Sequence, residues 1–231
     1  MNAPVETRGN TTFASRTELA AVLLTGIGHI LLEVLSDGLR GAADTLNRPQ
    51  QIYNLAACAG WGGYVLWRGI RSTELRRIWG LQKAHFRAAL NPALLFAAPA
   101  ALVLILYGVT TRRFPIPLTF WLVVALYPLW GIAQQFALQA LLTKNLRAMV
   151  RHPVTQALCV AVLFSLAHFP NAWLMVLVFP AGLVFTLIFE RHPNIWAIGL
   201  VHGLLGSLAY YLVLGKDPGA ELLRMLGVVN G

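Results

Sequence analysis

Apolar residues dominate the chain in long runs, and the polar positions gather between those runs. Several runs reach about 20 residues, the length that crosses a hydrocarbon core of roughly 30 Å. Seven spans are predicted, at about 18–36, 51–69, 92–110, 117–143, 153–170, 172–190 and 194–214. Short breaks at 47–50 (NRPQ), 114–117 (FPIP), 151–153 (RHP) and 191–194 (RHPN) separate them, each with a proline that favours leaving a helix. The first 16 residues are polar, and no small-residue cleavage pattern follows the run from Leu19 to Leu35. That run therefore reads as a retained first span rather than a signal peptide. Residues 71–90, RSTELRRIWGLQKAHFRAAL, depart from the pattern. Leu75, Ile78, Trp79, Leu81 and Phe86 mark a partly apolar face there, with Arg71, Arg76, Arg77, Lys83 and Arg87 around it. The pattern predicts an interfacial amphipathic helix, with an ordinary solvated loop helix as the alternative. The expectation is an all-α polytopic membrane protein, one domain over residues 1–231, with about seven transmembrane helices and one interfacial helix.

Composition agrees: 57% of the 231 residues are apolar and only 12% charged, against about 25% charged in soluble domains. A net charge of +9 would suggest nucleic acid in a soluble protein. Here the basic residues sit in loops between spans, where they orient the chain, so membrane lipids and not nucleic acid are the expected partners. With the N-terminus inside, the inner loops hold twelve Lys and Arg residues against six outside. The positive-inside rule thus predicts a cytoplasmic N-terminus. Cys58 and Cys159 both fall in apolar runs, where a free thiol acts as a small hydrophobe.

An ionisable side chain inside a bilayer costs about 2.5–3.5 kcal/mol even on the lenient insertion scale, so each one needs a reason. Glu33 is the acid well inside an apolar span, Glu190 caps the sixth span, and His29, His168 and His202 lie at depth. His29 and Glu33 are four apart and share a helix face. They read as a structural pair, or else Glu33 supplies a carboxylate to a site shared with His168 and His202. Two histidines can activate water or ligate a metal, but two ligands alone do not hold zinc. Each can equally hydrogen-bond a neighbouring helix. No metal and no cofactor is expected. Gly199, Gly203 and Ser207 form a small-residue stripe that admits a close helix neighbour, with His202 and Gly206 on the adjoining face. Finally, WGIAQQFALQALL (130–142) sets Gln134, Gln135 and Gln139 in an oily run. Taken alone, these glutamines read as interhelical hydrogen-bonding groups.

In their order along the chain these elements resemble the CPBP family of intramembrane proteases, also called the Abi or type II CAAX prenyl protease family. Its members carry Glu-Glu-x-x-x-Arg, then Phe-x-x-x-His, then His-x-x-x-Asn on separate late spans. Phe164-Ser-Leu-Ala-His168 matches the second motif, and His202-Gly-Leu-Leu-Gly206 keeps the histidine of the third with glycine for asparagine. The first motif falls on Gln134-Gln135-Phe-Ala-Leu-Gln139, all three charged groups having become glutamine. The resemblance covers about residues 90–214. It implies an endopeptidase that acts on membrane-associated or lipid-modified, CAAX-type polypeptides at a bacterial inner membrane. In it His168, His202, Gln134 and Gln135 occupy the catalytic positions, with Phe164, Gln139, Gly206 and Glu33 in support. A glutamine amide can position water but has no useful basicity at neutral pH. The alternatives are a pseudoprotease that binds a lipidated or transmembrane polypeptide without cutting it, or a small transporter. On the spans above, His168 lies 15 residues into the fifth, nearer the outer half, while Gln135 and His202 lie toward the inner half.

Overall fold

The computed structural model describes residues 14–39 and 48–228, so most of the polar N-terminal tail and Asn47 of the first break lie outside the described residues. Helices α1 (Arg16–Leu39), α2 (Arg48–Arg71), α3 (Thr73–Ile78) and α4 (Phe86–Thr110) come first. They are followed by α5 (Thr119–Leu146), α6 (Pro153–Leu166), α7 (Ala172–Arg191), α8 (Ile195–Leu214) and α9 (Pro218–Met225). Helix starts use side-chain oxygens to satisfy backbone donors that have no partner in the first turn. Ser72, Asn171, Asn194 and Asp217 accept from the N–H groups of Leu75, Leu174, Ala197 and Ala220. Pro153 and Pro218 stand at the first helical positions, where a missing N–H does no harm.

The described residues form an all-α, polytopic membrane protein. Five helices are long and apolar enough to cross a bilayer: α1, α4, α5, α7 and α8. The other two expected spans fall short for different reasons. Helix α2 has 24 residues, but its polar and glycine positions dilute it. Helix α6 has only 14 residues, a length of about 21 Å.

The amphipathic helix expected over 71–90 is a correction. Only Thr73–Ile78 is helical before the chain turns at Gly80, whose φ is +68°, and α4 then begins at Phe86. Leu75 and Trp79 are fully buried rather than spread on a leaflet. The turn is tied to the loop before α8. Ile195 N–H donates to the Gly80 carbonyl at 3.0 Å, and Asn194 Nδ2 donates to the carbonyls of Gln82 and Ala84 at 2.9 Å each. A side chain at Gly80 would meet the Asn194 nitrogen at 2.9 Å. Positive φ and this close approach together require glycine there.

The centre of the bundle is the α5–α8 pair, and the small-residue stripe makes it. A Cβ on Gly203 would stand 2.5 Å from Pro128 Cα, and one on Gly199 would stand 2.6 Å from Ile132 Cα. The two backbones touch directly, as small-residue interfaces between membrane helices allow. Gly203→Ala should therefore destabilise the protein by about 1–3 kcal/mol, because backbone and not a flexible side chain must move. Thermal unfolding in detergent reads this, with Gly60→Ala, whose Cβ meets open space, as the neutral control. Equal melting of the two variants would refute the close approach. Around this pair, Ala89, Ala93 and Ala97 of α4 pack with Phe185 and Phe189 of α7 and Ile195, Ile198 and Val201 of α8. Leu19 of α1 joins Leu138, Leu142, Val160 and Phe164 in a second cluster.

The α1 N-terminus, the 72–85 segment, and the α5–α6 and α7–α8 loops share one end of the bundle. There Lys144 Nζ donates to Glu18 Oε1 at 2.8 Å, and Arg147 pairs with Glu190 at 2.5 Å. At the opposite end Asp217 joins three elements, accepting from Thr119 and Tyr211 hydroxyls at 2.6 Å each and from Ala220 N–H at 2.9 Å. Burial raises its pKa, but these donors outweigh that and hold it below the usual carboxylate value. A depressed carboxylate pKa stabilises the fold above the unfolded-state pKa and loses that contribution as pH falls through the folded one. Acid should therefore loosen the α5–α8–α9 junction below about pH 4. Asp217→Asn should flatten that acid limb of melting temperature against pH; an unchanged limb would show that Asp217 does not produce it.

Candidate functional site

Helix α5 does not stay α-helical. Residues Phe136–Thr143 form a π-helix, so the Gln134-Gln135-x-x-x-Gln139 motif straddles the change of pitch. Such widened turns are rare and frequent at functional sites. Neighbouring residues on a helix point about 100° apart, so the two adjacent glutamines face different surroundings.

Gln134 is half-buried and points to α8, where its Oε1 lies 3.1 Å from His202 Nε2. An amide oxygen only accepts, so this contact places the imidazole proton on Nε2 and leaves Nδ1 with its lone pair. Gln135 is fully buried on the other side. Its Oε1 accepts from Gln139 Nε2 at 3.1 Å, and its own Nε2 has no acceptor. Gln139 Nε2 also donates to Thr186 Oγ1 of α7 at 3.0 Å, and Gln139 Oε1 accepts from Thr143 at 3.0 Å. Gln156 of α6 continues the network by donating to the Thr143 carbonyl at 2.6 Å, an acceptor it shares with Arg147 N–H at 3.1 Å. The network is neutral throughout and pins α5 to α6 and α7.

His168 does not lie within a helix. It sits in the turn after α6, with its Nδ1 2.8 Å from the Phe164 carbonyl. That carbonyl accepts, so neutral His168 carries its proton on Nδ1 and presents Nε2 unprotonated. Helix α6 ends at Leu166, two residues before His168, and the expected difference in depth does not keep the two histidines apart. Phe164 touches both imidazoles, with ring centroids 4.9 Å from His168 and 5.6 Å from His202. Phe185 closes the other face of His202 at 6.0 Å.

Gly206 lies beneath Tyr127, and a Cβ there would stand 2.6 Å from the ring. The ring fills the space that an asparagine side chain would need. His29 of α1 is held by α2, its Nδ1 3.0 Å from Asn54 Oδ1 and 2.6 Å from Gln50 Nε2. Glu33 is half-buried one turn further along α1. Among the predicted residues, then, Gln134, Phe164, His168 and His202 gather at one place. Gln135 and Gln139 form the network behind it, and Gly206 makes room for an aromatic ring. Thr143, Gln156 and Thr186 were missed by a search for ionisable groups. Their signal was a neutral polar residue inside an apolar run. Among the described residues no group of three or more His, Cys, Asp and Glu side chains can hold a metal.

Residues 115–208 match the family model described as Type II CAAX prenyl endopeptidase Rce1-like. Over this segment, about two fifths of its length, the chain is similar to the type II CAAX prenyl endopeptidases. The Rce1-like segment runs from just before α5 into α8 and contains all three motif positions. No curated protein and no solved structure matches the chain. Helices α1 to α4 precede the Rce1-like segment.

Proposed function

We propose that this CAAX-protease-like protein is an intramembrane endopeptidase acting on membrane-associated or lipid-modified polypeptides, with altered catalytic glutamates. Its setting is a bacterial inner membrane with the N-terminus in the cytoplasm, the sidedness that the concentration of basic residues at one end favours. The observation that carries the reading is the 3.1 Å contact between His202 Nε2 and Gln134, beside a phenyl ring shared with His168. In neutral His202 and His168, Nδ1 and Nε2 respectively keep a lone pair able to take a proton from water. Gln134 positions that water or the developing oxyanion but cannot serve as base.

A second reading draws on the network behind the site. The Gln139 amide is committed to bonds with Gln135, Thr186 and Thr143, which favours a pseudoprotease that holds a lipidated or transmembrane polypeptide without cutting it. The purified protein in lipid, offered prenylated CAAX-type peptides, separates the two. The endopeptidase reading expects hydrolysis that His168→Ala reduces by about 10²–10⁴. Intact peptide crosslinked equally to wild type and His168→Ala, with no hydrolysis above the variant, would replace it with the binding reading.

A further inference from the structure

Away from the histidines, α1 and α2 flank an open groove of about 480 Å³, a volume within the range of small-molecule sites. It lies between helices outside the Rce1-like segment. Its walls include Glu18, Ala21, Thr25, Ala57, Trp61 and Tyr64. The two ends of the groove differ chemically. At the basic end of the bundle, Glu18 is 5% exposed, and both its oxygens are occupied. Oε1 accepts from Lys144 at 2.8 Å and Asn145 at 3.0 Å, and Oε2 accepts from the Tyr64 hydroxyl at 2.8 Å. The floor is thus charge-paired internally, the buried Glu18 carboxylate facing Lys144.

Beside the groove, one and two turns beyond its lining residue Tyr64, α2 carries positive charge. Arg68 stacks 5.8 Å from the Tyr64 ring centroid, and one turn along Arg71 stacks 4.6 Å over Trp67. Arg16 opens α1 beside Thr17, which also lines the groove. Among the described residues no acid forms a salt bridge with Arg16, Arg68 or Arg71. Toward mid-bilayer the walls become small and apolar at Ala21 and Ala57, flanked by Trp61, whose Nε1 is already bonded to Thr25.

We propose that this groove binds one anionic glycerophospholipid. Its phosphate rests between Arg68 and Arg71 above the Glu18–Lys144–Tyr64 floor, and one acyl chain lies against Ala21, Ala57 and Trp61. Charge decides the headgroup class: a zwitterionic lipid brings an ammonium group, and the acid of this groove, Glu18, is buried and already paired with Lys144. Length decides between a lipid and a free phosphate, since only a lipid fills the apolar half. The site is independent of whether the histidines hydrolyse anything.

Native mass spectrometry of the whole protein in detergent, titrated with phosphatidylglycerol or phosphatidylcholine, tests this. One phosphatidylglycerol should bind in preference to phosphatidylcholine. Arg68→Gln should cut that preference about fivefold, the effect of removing one cation near a phosphate layer. Gly60→Leu, whose side chain enters open space beside the groove, should displace the acyl chain and lower binding of both lipids. Melting temperature confirms that each variant is folded. Equal binding of the two lipids, or phosphatidylglycerol binding unchanged in both folded variants, would overturn the proposal.

Discussion

Replacing Glu18 with Gln should be among the most damaging single changes in this protein. Glu18 and Lys144 lie 126 positions apart and pair at 2.8 Å, with side chains only 3% and 6% exposed. Removing one member of a buried ion pair leaves an uncompensated charge and typically costs about 3–5 kcal/mol. Tyr64, Asn145 and the backbone of Ser15, which donates to Asn145, all organise around that carboxylate. Loss of the charge should therefore weaken the hold of α1 and α2 on α5. The converse is as informative. Glu18→Gln combined with Lys144→Leu removes both charges, and such replacements are often neutral. The double variant should recover most of the melting temperature lost by Glu18→Gln. If the double variant is no more stable than the single, the pair is not what joins these helices.

That pair also marks the limit of what the chain reveals in one dimension. Long apolar runs follow from local composition, and they identified the membrane helices because a bilayer demands length and apolarity over consecutive residues. The glycine stripe was legible for a similar reason: spacing four on a helix places Gly199 and Gly203 on one face whatever the partner. Glu18 and Lys144 stand at span ends, where a charge is ordinary, and nothing local joins them. The 71–90 segment misled because its apolar positions suit a lipid surface and a protein surface equally. Gly80 and Asn194 decide between them, and their contact crosses more than a hundred residues. At the site, motif order located Gln134, His168 and His202 but not their division of labour. Which glutamine faces His202 depends on the register of α5 against α8 and on the π turn, neither of which is a property of the motif alone.

That division of labour predicts opposite outcomes for two adjacent, chemically identical substitutions. Gln134→Glu sets a carboxylate 3.1 Å from His202 Nε2 at a half-buried position, where the imidazolium can balance it. It supplies the base that the amide lacks, and hydrolysis of a lipid-modified peptide should rise by about 10²–10⁴ over wild type. Gln135→Glu sets its charge in the fully buried network facing Gln139 and Thr186. An unpaired buried carboxylate is strongly unfavourable, so this variant should melt earlier and gain no activity. Adding Gln139→Arg supplies a cation one turn away and should restore much of the lost stability. Side-by-side measurement of melting temperature and peptide hydrolysis on the three variants decides the matter. A gain of activity at position 135 rather than 134 would move the reacting water to the other face of α5 and remove His202 from the chemistry.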